Sequence, residues 1–243
     1  MSDCLMKCVA VGAILLAPLV ARADQREELA TTRSAIGWGQ SVNPDRVCMW
    51  SEGGWDGAAH RAEVDATVEA TVFDRASVFA TAQLGGVSTT ARPAIGAAYQ
   101  LVDPRTGTTG ARVSVAYKPE GFTEPEGELE SVLVLSQRFG GDVVRARLAY
   151  GQDPEGRESD AELGGSYLNR VGNVELGVTS RYRHAIKVKT LAEPRWDLIS
   201  GVVGAYLRGR SRIELLVGVD ALAYGTDPAQ TGVVGLVSVG TEL

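Results

Sequence analysis

The sequence has few cysteines, and this limits how its fold can be held together. Its 243 residues include Cys4, Cys8 and Cys48. Cys4 and Cys8 belong to an N-terminal segment with the features of a cleaved export signal, so the mature chain would keep Cys48 alone. One cysteine forms no internal disulfide and supplies too few thiols for a structural zinc site. We therefore expect neither a disulfide nor a cysteine-based metal site.

The sequence also lacks an apolar run long enough for a membrane-spanning helix. The apolar run Val9–Val20 has 12 residues, whereas a helix needs about 18–20 to cross a bilayer. Lys7 precedes this run, and Ala21-Arg22-Ala23 follows it with the small-x-small pattern that signal peptidase cleaves. We predict a secretory signal over residues 1–23 and a single domain over residues 24–243, with no helical membrane anchor.

Basic residues are not in excess. The formal net charge is −6, and cleavage before Asp24 would remove two of the 24 basic and one of the 30 acidic residues, which leaves −7. A protein that binds nucleic acid is expected to carry a basic patch. The balance of charge therefore argues against a nucleic-acid partner.

Motifs for catalysis are scarce as well. The chain has two histidines, His60 and His184, and neither accompanies a GxSxG, HExxH or paired-aspartate motif. Some enzymes use a histidine with a serine or a carboxylate, and His184 is the candidate for such a role. The simpler interpretation is a solvated loop histidine, so we predict no enzyme activity and no cofactor.

The segment Gly151–Asp160 is rich in carboxylates, with Asp153, Glu155, Glu158 and Asp160. Such a cluster could bind calcium or bridge lipid phosphates through divalent ions. The spacing does not fit an EF-hand loop, and an acidic surface loop needs no ligand. We predict no metal site here.

The sequence is rich in segments that alternate apolar and polar residues, which is the pattern of half-buried β-strands. In the first of them, Val64, Val68 and Val72 share one face while Asp65 and Glu69 share the other. No window after residue 60 shows a helical period. We predict an all-β fold with eleven strands near Val64–Phe73, Ser77–Leu84, Ala94–Val102, Arg112–Lys118, Glu128–Arg138, Val143–Tyr150, Ala161–Asn169, Val174–Tyr182, Trp196–Leu207, Arg212–Leu222 and Thr231–Leu243.

The connections between these segments alternate in length. Short turns are expected at Asp74–Ala76, Phe139–Asp142, Arg170–Asn173 and Arg208–Ser211, with Asp103–Gly110 as an intermediate case. Longer loops are expected at Gly85–Arg92, Pro119–Gly127, Gly151–Asp160, Arg183–Arg195 and Gly225–Gln230. An antiparallel meander with short turns at one end and long loops at the other is typical of outer-membrane barrels.

This arrangement needs one more strand before Val64. Ser34–Val42 is the candidate, with Ile36, Trp38 and Val42 on one face, and Arg46–Trp50 is the alternative. With the first choice, residues 43–60 form a long loop that contains Cys48 and Trp55, for which no role is evident. The predicted number of strands is then twelve, and the sequence is compatible with ten to twelve.

Aromatic residues make up only 6% of the chain, yet they fall near strand ends, where membrane barrels place their interfacial girdles. The predicted interface aromatics are Tyr117, Tyr150, Tyr182, Trp196 and Tyr206. The export signal, the alternating segments, the sorted loops and the C-terminal strand together make the chain resemble bacterial outer-membrane β-barrel proteins.

The resemblance implies an up-and-down transmembrane barrel in the bacterial outer membrane, with short periplasmic turns and long extracellular loops. It implies outer-membrane lipid as a partner, and assembly machinery that reads the C-terminal strand. That strand ends in Leu243 where such proteins usually have an aromatic residue. The oligomeric state is left open.

If the apolar rows face lipid, the polar rows face the lumen. The predicted lumen-facing charges are Glu69, Arg112, Lys118, Glu128, Glu130, Arg138, Arg145, Arg147, Glu162, Glu175, Arg181, Arg212, Glu214 and Asp220. They could close a narrow lumen through salt bridges or line a pore that selects solutes. We predict a passive small-solute channel or a structural membrane protein. The alternatives are a plugged barrel whose loops bind a partner or surface, and a soluble periplasmic β-protein.

Overall fold

Twelve antiparallel strands form the fold. The structure, a computed structural model, describes residues 47–58, 61–85, 88–104, 107–119, 127–188, 194–208, 211–225 and 227–242. The strands are β1 (Val47–Asp56), β2 (Arg61–Phe73), β3 (Ala76–Gly85), β4 (Ser88–Val102), β5 (Thr109–Pro119), β6 (Gly127–Phe139), β7 (Asp142–Gln152), β8 (Ser159–Val171), β9 (Val174–Lys187), β10 (Pro194–Arg208), β11 (Ser211–Tyr224) and β12 (Gln230–Glu242).

Each strand pairs with its neighbours in sequence, and β1 pairs with β12 to close the sheet into a barrel. Trp50 marks the seam, because it lies opposite Gly240 of β12 on one side and Thr67 of β2 on the other. A closed barrel leaves no edge strand with unpaired backbone groups. The predicted all-β fold and the count of twelve strands are confirmed.

No helix among the described residues is long and apolar enough to cross a membrane.

The first strand differs from the prediction. The barrel begins with Val47–Asp56, so the assignment of residues 43–60 to a long loop was wrong, and the alternative strand Arg46–Trp50 was closer. The predicted strand Ser34–Val42 and the export signal lie outside the described residues. Gly53 and Gly54 suggested a turn, but Gly54 is needed in the strand because a Cβ there would overlap the Leu236 side chain.

The connection between β3 and β4 also differs. Gly85–Arg92 was predicted to be a long loop, whereas Gly85 pairs with Ser88 and β4 continues without a break to Val102. At the other four positions where a long loop was predicted, the connection is longer than this one. Each of these connections begins and ends inside its predicted range, since most strands extend a few residues further than predicted. The strict alternation of short and long connections therefore fails at this hairpin.

Two tight turns explain the register of their hairpins. Gly140 joins β6 to β7 with φ 63°, and Gly172 joins β8 to β9 with φ 62°. A side chain is disfavoured at such positive φ, and glycine adopts it freely. Phe139 thus pairs with Asp142 and Val171 with Val174, which fixes the faces of all four strands.

The two faces of the sheet differ sharply. Outward side chains such as Val178, Val202 and Val217 are more than half exposed, at 54%, 62% and 65%. Inward neighbours such as Thr179 are buried. A band of exposed aliphatic residues around the wall is what a lipid-facing surface requires.

An apolar cluster fills one side of the interior. Its members come from β8, β10, β11 and β12 and are almost fully buried: Leu168, Ile199, Val203, Leu216, Val234 and Leu236. The remaining inner face, which runs from β1 through β9, is mainly polar.

Candidate functional site: the charged interior of the barrel

Nine described charges of the inner face belong to one continuous chain of ion pairs that begins on β5. Lys118 of β5 contacts Glu130 of β6 and lies 3.5 Å from Glu128. Arg147 of β7 is the next cation, with Nη2 3.1 Å from the Glu130 carboxylate and Nη1 in contact with Glu162 of β8. Glu130 thus lies between two cations.

The chain continues on β8, β9 and β10. Arg181 lies between Glu162, at 3.9 Å, and Asp197, at 2.9 Å. Asp197 also accepts a hydrogen bond of 2.8 Å from Nε of Arg183, whose Nη1 donates to Asp160 at 3.1 Å. Alternating charges therefore link six neighbouring strands, β5 to β10. On β8, β9 and β10 these charges lie near the strand ends that lead into the long loops.

A separate group crosses the interior near the short turns. Arg112 of β5 lies 2.5 Å from Glu69 of β2, although β3 and β4 lie between these strands. Ser77 of β3 donates a hydrogen bond to the same carboxylate. Both ionic side chains are buried, at 5% and 2% exposure, so the pair spans this sector of the barrel instead of lying along its wall.

A third group lies nearby, on β7, β9 and β11. Arg212 Nη2 is 2.7 Å from Glu175 Oε2, and its Nε donates to Glu214 on the same strand. Arg145 of β7 interacts electrostatically with all three. Small Ala205 separates Glu175 from Glu214 across β10, because it pairs with both.

A cavity of about 60 Å³ is bordered by members of the first two groups. Its lining is polar on the β1–β3 side, with Glu52, Asp65, Glu69, Thr67 and Thr81, and includes the aromatic rings of Trp50 and Phe79. Arg112 and Arg147 line it from β5 and β7. Since a water molecule needs about 10–15 Å³ of such space, the cavity holds only a handful of waters.

The inner face carries more acids than bases among the described side chains that are buried or half-buried. The carboxylates are Glu52, Asp56, Glu63, Asp65, Glu69, Glu128, Glu130, Asp160, Glu162, Glu175, Asp197, Glu214 and Asp220. The cations are Arg112, Lys118, Arg145, Arg147, Arg181, Arg183 and Arg212.

All of the charges predicted to share the polar rows lie on the inner row of their strands, and all but Arg138, which is exposed, are buried or half-buried. Asp220 is buried and accepts a hydrogen bond of 2.9 Å from the Ala58 amide, which anchors the β1–β2 connection. Sequence reasoning missed Glu52 and Asp56 because β1 was assigned to a loop. It also missed Asp197. This residue directly follows Trp196, which faces outward, so the period-two alternation places Asp197 on the inner face.

The predicted interface aromatics belong to the outer rows. Tyr150, Tyr182 and Tyr206 are 44%, 41% and 49% exposed, and Tyr117 and Trp196 are half-buried. Tyr182 also stacks on His184, with ring centroids 6.3 Å apart.

The histidine and the acidic loop are not assembled into a reactive site in the described part of the chain. His184 is exposed, and its Nδ1 lies 3.4 Å from the Tyr182 hydroxyl. His60 is outside the described residues. Among the described side chains, no group of three or more histidine, cysteine or acidic residues could hold a metal ion.

Asp153 of the acidic loop serves its own backbone. Its Oδ1 accepts hydrogen bonds from the amides of Arg157, at 2.6 Å, and Glu158, at 3.2 Å. Burial acts to raise the pKa of Asp153, but these hydrogen bonds and the Arg157 guanidinium prevail and hold it below its ordinary value. The carboxylate stabilises the loop.

Comparisons with known proteins bear on the fold alone. No protein-family model matches the sequence, and no curated protein sequence matches it. Among solved structures, the NanC porin is similar over 80% of this chain and 100% of its own, with 13% identity and a TM-score of 0.58. A KdgM porin in complex with disordered oligogalacturonate covers 81% and 99%, with 10% identity and a TM-score of 0.58.

LpxR from Salmonella typhimurium is similar over 81% of this chain and 100% of its own, with 6% identity and a TM-score of 0.56. These neighbours include porins but are not limited to them. The expected resemblance is confirmed at the level of architecture: the chain has the closed, antiparallel barrel fold of outer-membrane β-barrel proteins.

Proposed function

We propose that the protein is an outer-membrane barrel that acts as a narrow, passive channel for small charged or polar solutes. The observation that carries the proposal is the charged inner face, which lines a cavity and extends from Glu175 and Arg212 near the short turns to Asp160 and Asp197 near the long loops. A barrel that served only as a membrane anchor would be more stable with an apolar filling, because buried ion pairs rarely repay their desolvation cost.

The outer face supports a membrane location. Its aliphatic band is broad and exposed, and a soluble protein rarely leaves so large an apolar surface in water. The charged inner face and the apolar outer face form the inside-out arrangement of membrane barrels. Extraction of the native protein from outer membranes with detergent, and a gel-mobility shift on boiling, test this part of the proposal; purification without detergent would overturn it.

The size of the cavity limits the solutes. Only larger barrels leave wide water-filled channels, and the apolar cluster occupies one side of this interior. We therefore expect inorganic ions and small polar molecules to pass, rather than chains such as the oligogalacturonate bound to the KdgM porin. No step in this transport needs a catalytic residue or a cofactor.

The strand β12 is the proposed contact with the assembly machinery. It closes the barrel by pairing with β1, and its outer row contains Val233, Val237 and Val239. Replacing Val237 by Asp should reduce the amount of heat-modifiable barrel in membranes, whereas Ser238→Asp on the inner row should reduce it less.

A closed barrel that binds a partner through its loops is the second candidate. The buried pair Arg112–Glu69 favours it, because this pair crosses part of the interior. Planar-bilayer recordings separate the two candidates. The channel predicts discrete conductance steps for the wild-type protein, whereas a closed barrel predicts silence that Arg112→Gln together with Glu69→Gln relieves.

A further inference from the structure

The ion pair between Glu69 and Arg112 lies at one end of the cavity. On β2 the residues that line the cavity are Asp65, Thr67 and Glu69, and Glu69 is the one nearest to the short turn that follows the strand. On β5 the lining residues are Arg112 and Ser114, and Arg112 is the nearer of the two to the short connection that precedes the strand. The pair therefore forms the floor of the cavity on the side of the short turns.

Neighbouring side chains hold this floor in place. Ser77 of β3 donates a hydrogen bond to the Glu69 carboxylate. Gln100 of β4 lies opposite Arg112 in the sheet and is buried. Its Nε2 donates hydrogen bonds to two backbone carbonyl oxygens, at 2.8 Å and 3.1 Å. All four strands from β2 to β5 thus contribute a polar side chain to the floor, which joins one side of this sector to the other.

The opposite side of the interior contains other groups. The apolar cluster on β8 and β10 to β12 occupies part of it, and a charged or polar solute cannot cross an apolar filling without losing its hydration. Arg212 and Glu175 lie near the short turns on β11 and β9, but neither lines the cavity. A solute that has entered the cavity from the side of the long loops therefore meets the Glu69–Arg112 pair on its way to the short turns.

We propose that the Glu69–Arg112 pair is the constriction of the channel and sets the size of the solutes that pass. The proposal rests on the channel function proposed above and names the residues that limit it. A solute passes this level only when the two side chains move apart, and separating a buried ion pair is costly. The pair thus limits both the rate of passage and the largest solute that crosses.

The first test is the unit conductance of the full-length protein in planar bilayers with KCl, compared between the wild type and Glu69→Ala combined with Arg112→Ala. Neither charge is left buried without the other, so the double variant should assemble. Its unit conductance should rise roughly tenfold, since breaking a buried pair costs more than the energy that corresponds to a factor of ten. An unchanged conductance in a double variant that shows the heat-dependent gel shift overturns the inference but leaves the channel intact. Silence of the wild-type protein overturns the channel itself.

The second test is the size limit, measured by the swelling of liposomes in sugars of increasing size. The double variant should admit larger sugars than the wild type, and an equal limit for the two proteins contradicts the assignment of the constriction.

The matched control is Glu175→Ala combined with Arg212→Ala, which removes the same two kinds of side chain from a buried ion pair outside the cavity. Its unit conductance should equal that of the wild type, and an equal rise in both double variants contradicts the assignment to Glu69 and Arg112. The milder variant Glu69→Asp keeps the charge and draws the carboxylate back by one methylene group. It should raise the conductance in the same direction, so it decides the proposal if the alanine variant does not assemble.

Discussion

The guanidinium of Arg181 and the carboxylate of Asp197 lie 2.9 Å apart on the inner face of the barrel, and each side chain is only 2% exposed. Asp197 is shared, because Arg183 binds its second oxygen at 2.8 Å. A single carboxylate therefore bridges two buried cations and joins β9 to β10 near the long loops.

Replacing this shared carboxylate should destabilise the barrel. Asp197→Asn leaves Arg181 with Glu162 at 3.9 Å and Arg183 with Asp160, so we expect a loss near the lower end of the range of about 3–5 kcal/mol for breaking a buried pair. The temperature at which the protein loses its compact gel mobility measures the effect. Asp227→Asn is the control, and equal behaviour of the two variants would contradict a structural role for the pair.

The two faces of β7 should respond in opposite ways to charge. Leu148 points outward and is 47% exposed, whereas Arg147 points inward. An arginine on the lipid face near the middle of a barrel costs about 2–4 kcal/mol, so Leu148→Arg should impair assembly.

The reverse substitution, Arg147→Leu, should assemble, because Glu130 keeps Lys118 and Glu162 keeps Arg181. The yield of heat-modifiable protein in the membrane fraction measures both variants. Equal damage from the two changes would argue against the assignment of these faces.

The loop between β7 and β8 should lose its order in acid. The pKa of Asp153 is lowered in the fold, so its carboxylate contributes stability that is present above the unfolded pKa and is lost as pH falls through the folded pKa. Hydrogen exchange of the Arg157 and Glu158 amides should therefore be slower at neutral pH than the intrinsic rate, and this protection should vanish at low pH.

Asp153→Asn should remove that protection at neutral pH, because the amide is a weaker acceptor than a carboxylate. Glu155→Gln is the matched control, since Glu155 is exposed in the same loop. Protection that persists in Asp153→Asn would show that the loop is ordered by other contacts.

Much of the barrel could be predicted from the sequence, since its strands follow one physical rule. A strand with lipid on one face and a polar interior on the other must alternate, and the middle of β7, with Ala146 and Leu148 outward and Arg145 and Arg147 inward, follows this rule. Eleven strands were recognised by this alternation, and the tight turns at Gly140 and Gly172 fix the phase of β6 to β9.

β1 could not be recognised in the same way. Its outer row is Val47, Met49, Ser51, Gly53 and Trp55, which is only weakly apolar. Gly54 allows close packing against β12, but Gly53 and Gly54 together have the composition of a turn. The signal that identifies it is its pairing with β12 and β2, which depends on the closure of the whole barrel.

The ion pairs depend on register and side-chain reach, which a period-two pattern does not contain. The pattern placed Glu69 and Arg112 on the same face, yet their contact across β3 and β4 appears only in three dimensions. Asp197 illustrates the same point, since its importance lies in the two arginines of β9 that converge on it.

Conductance of the full-length protein in a planar bilayer tests the central claim most directly. Protein whose gel mobility shows an intact barrel should produce discrete current steps, and a boiled sample should produce none. Silence of the intact barrel across a range of salts and voltages would contradict the proposed channel.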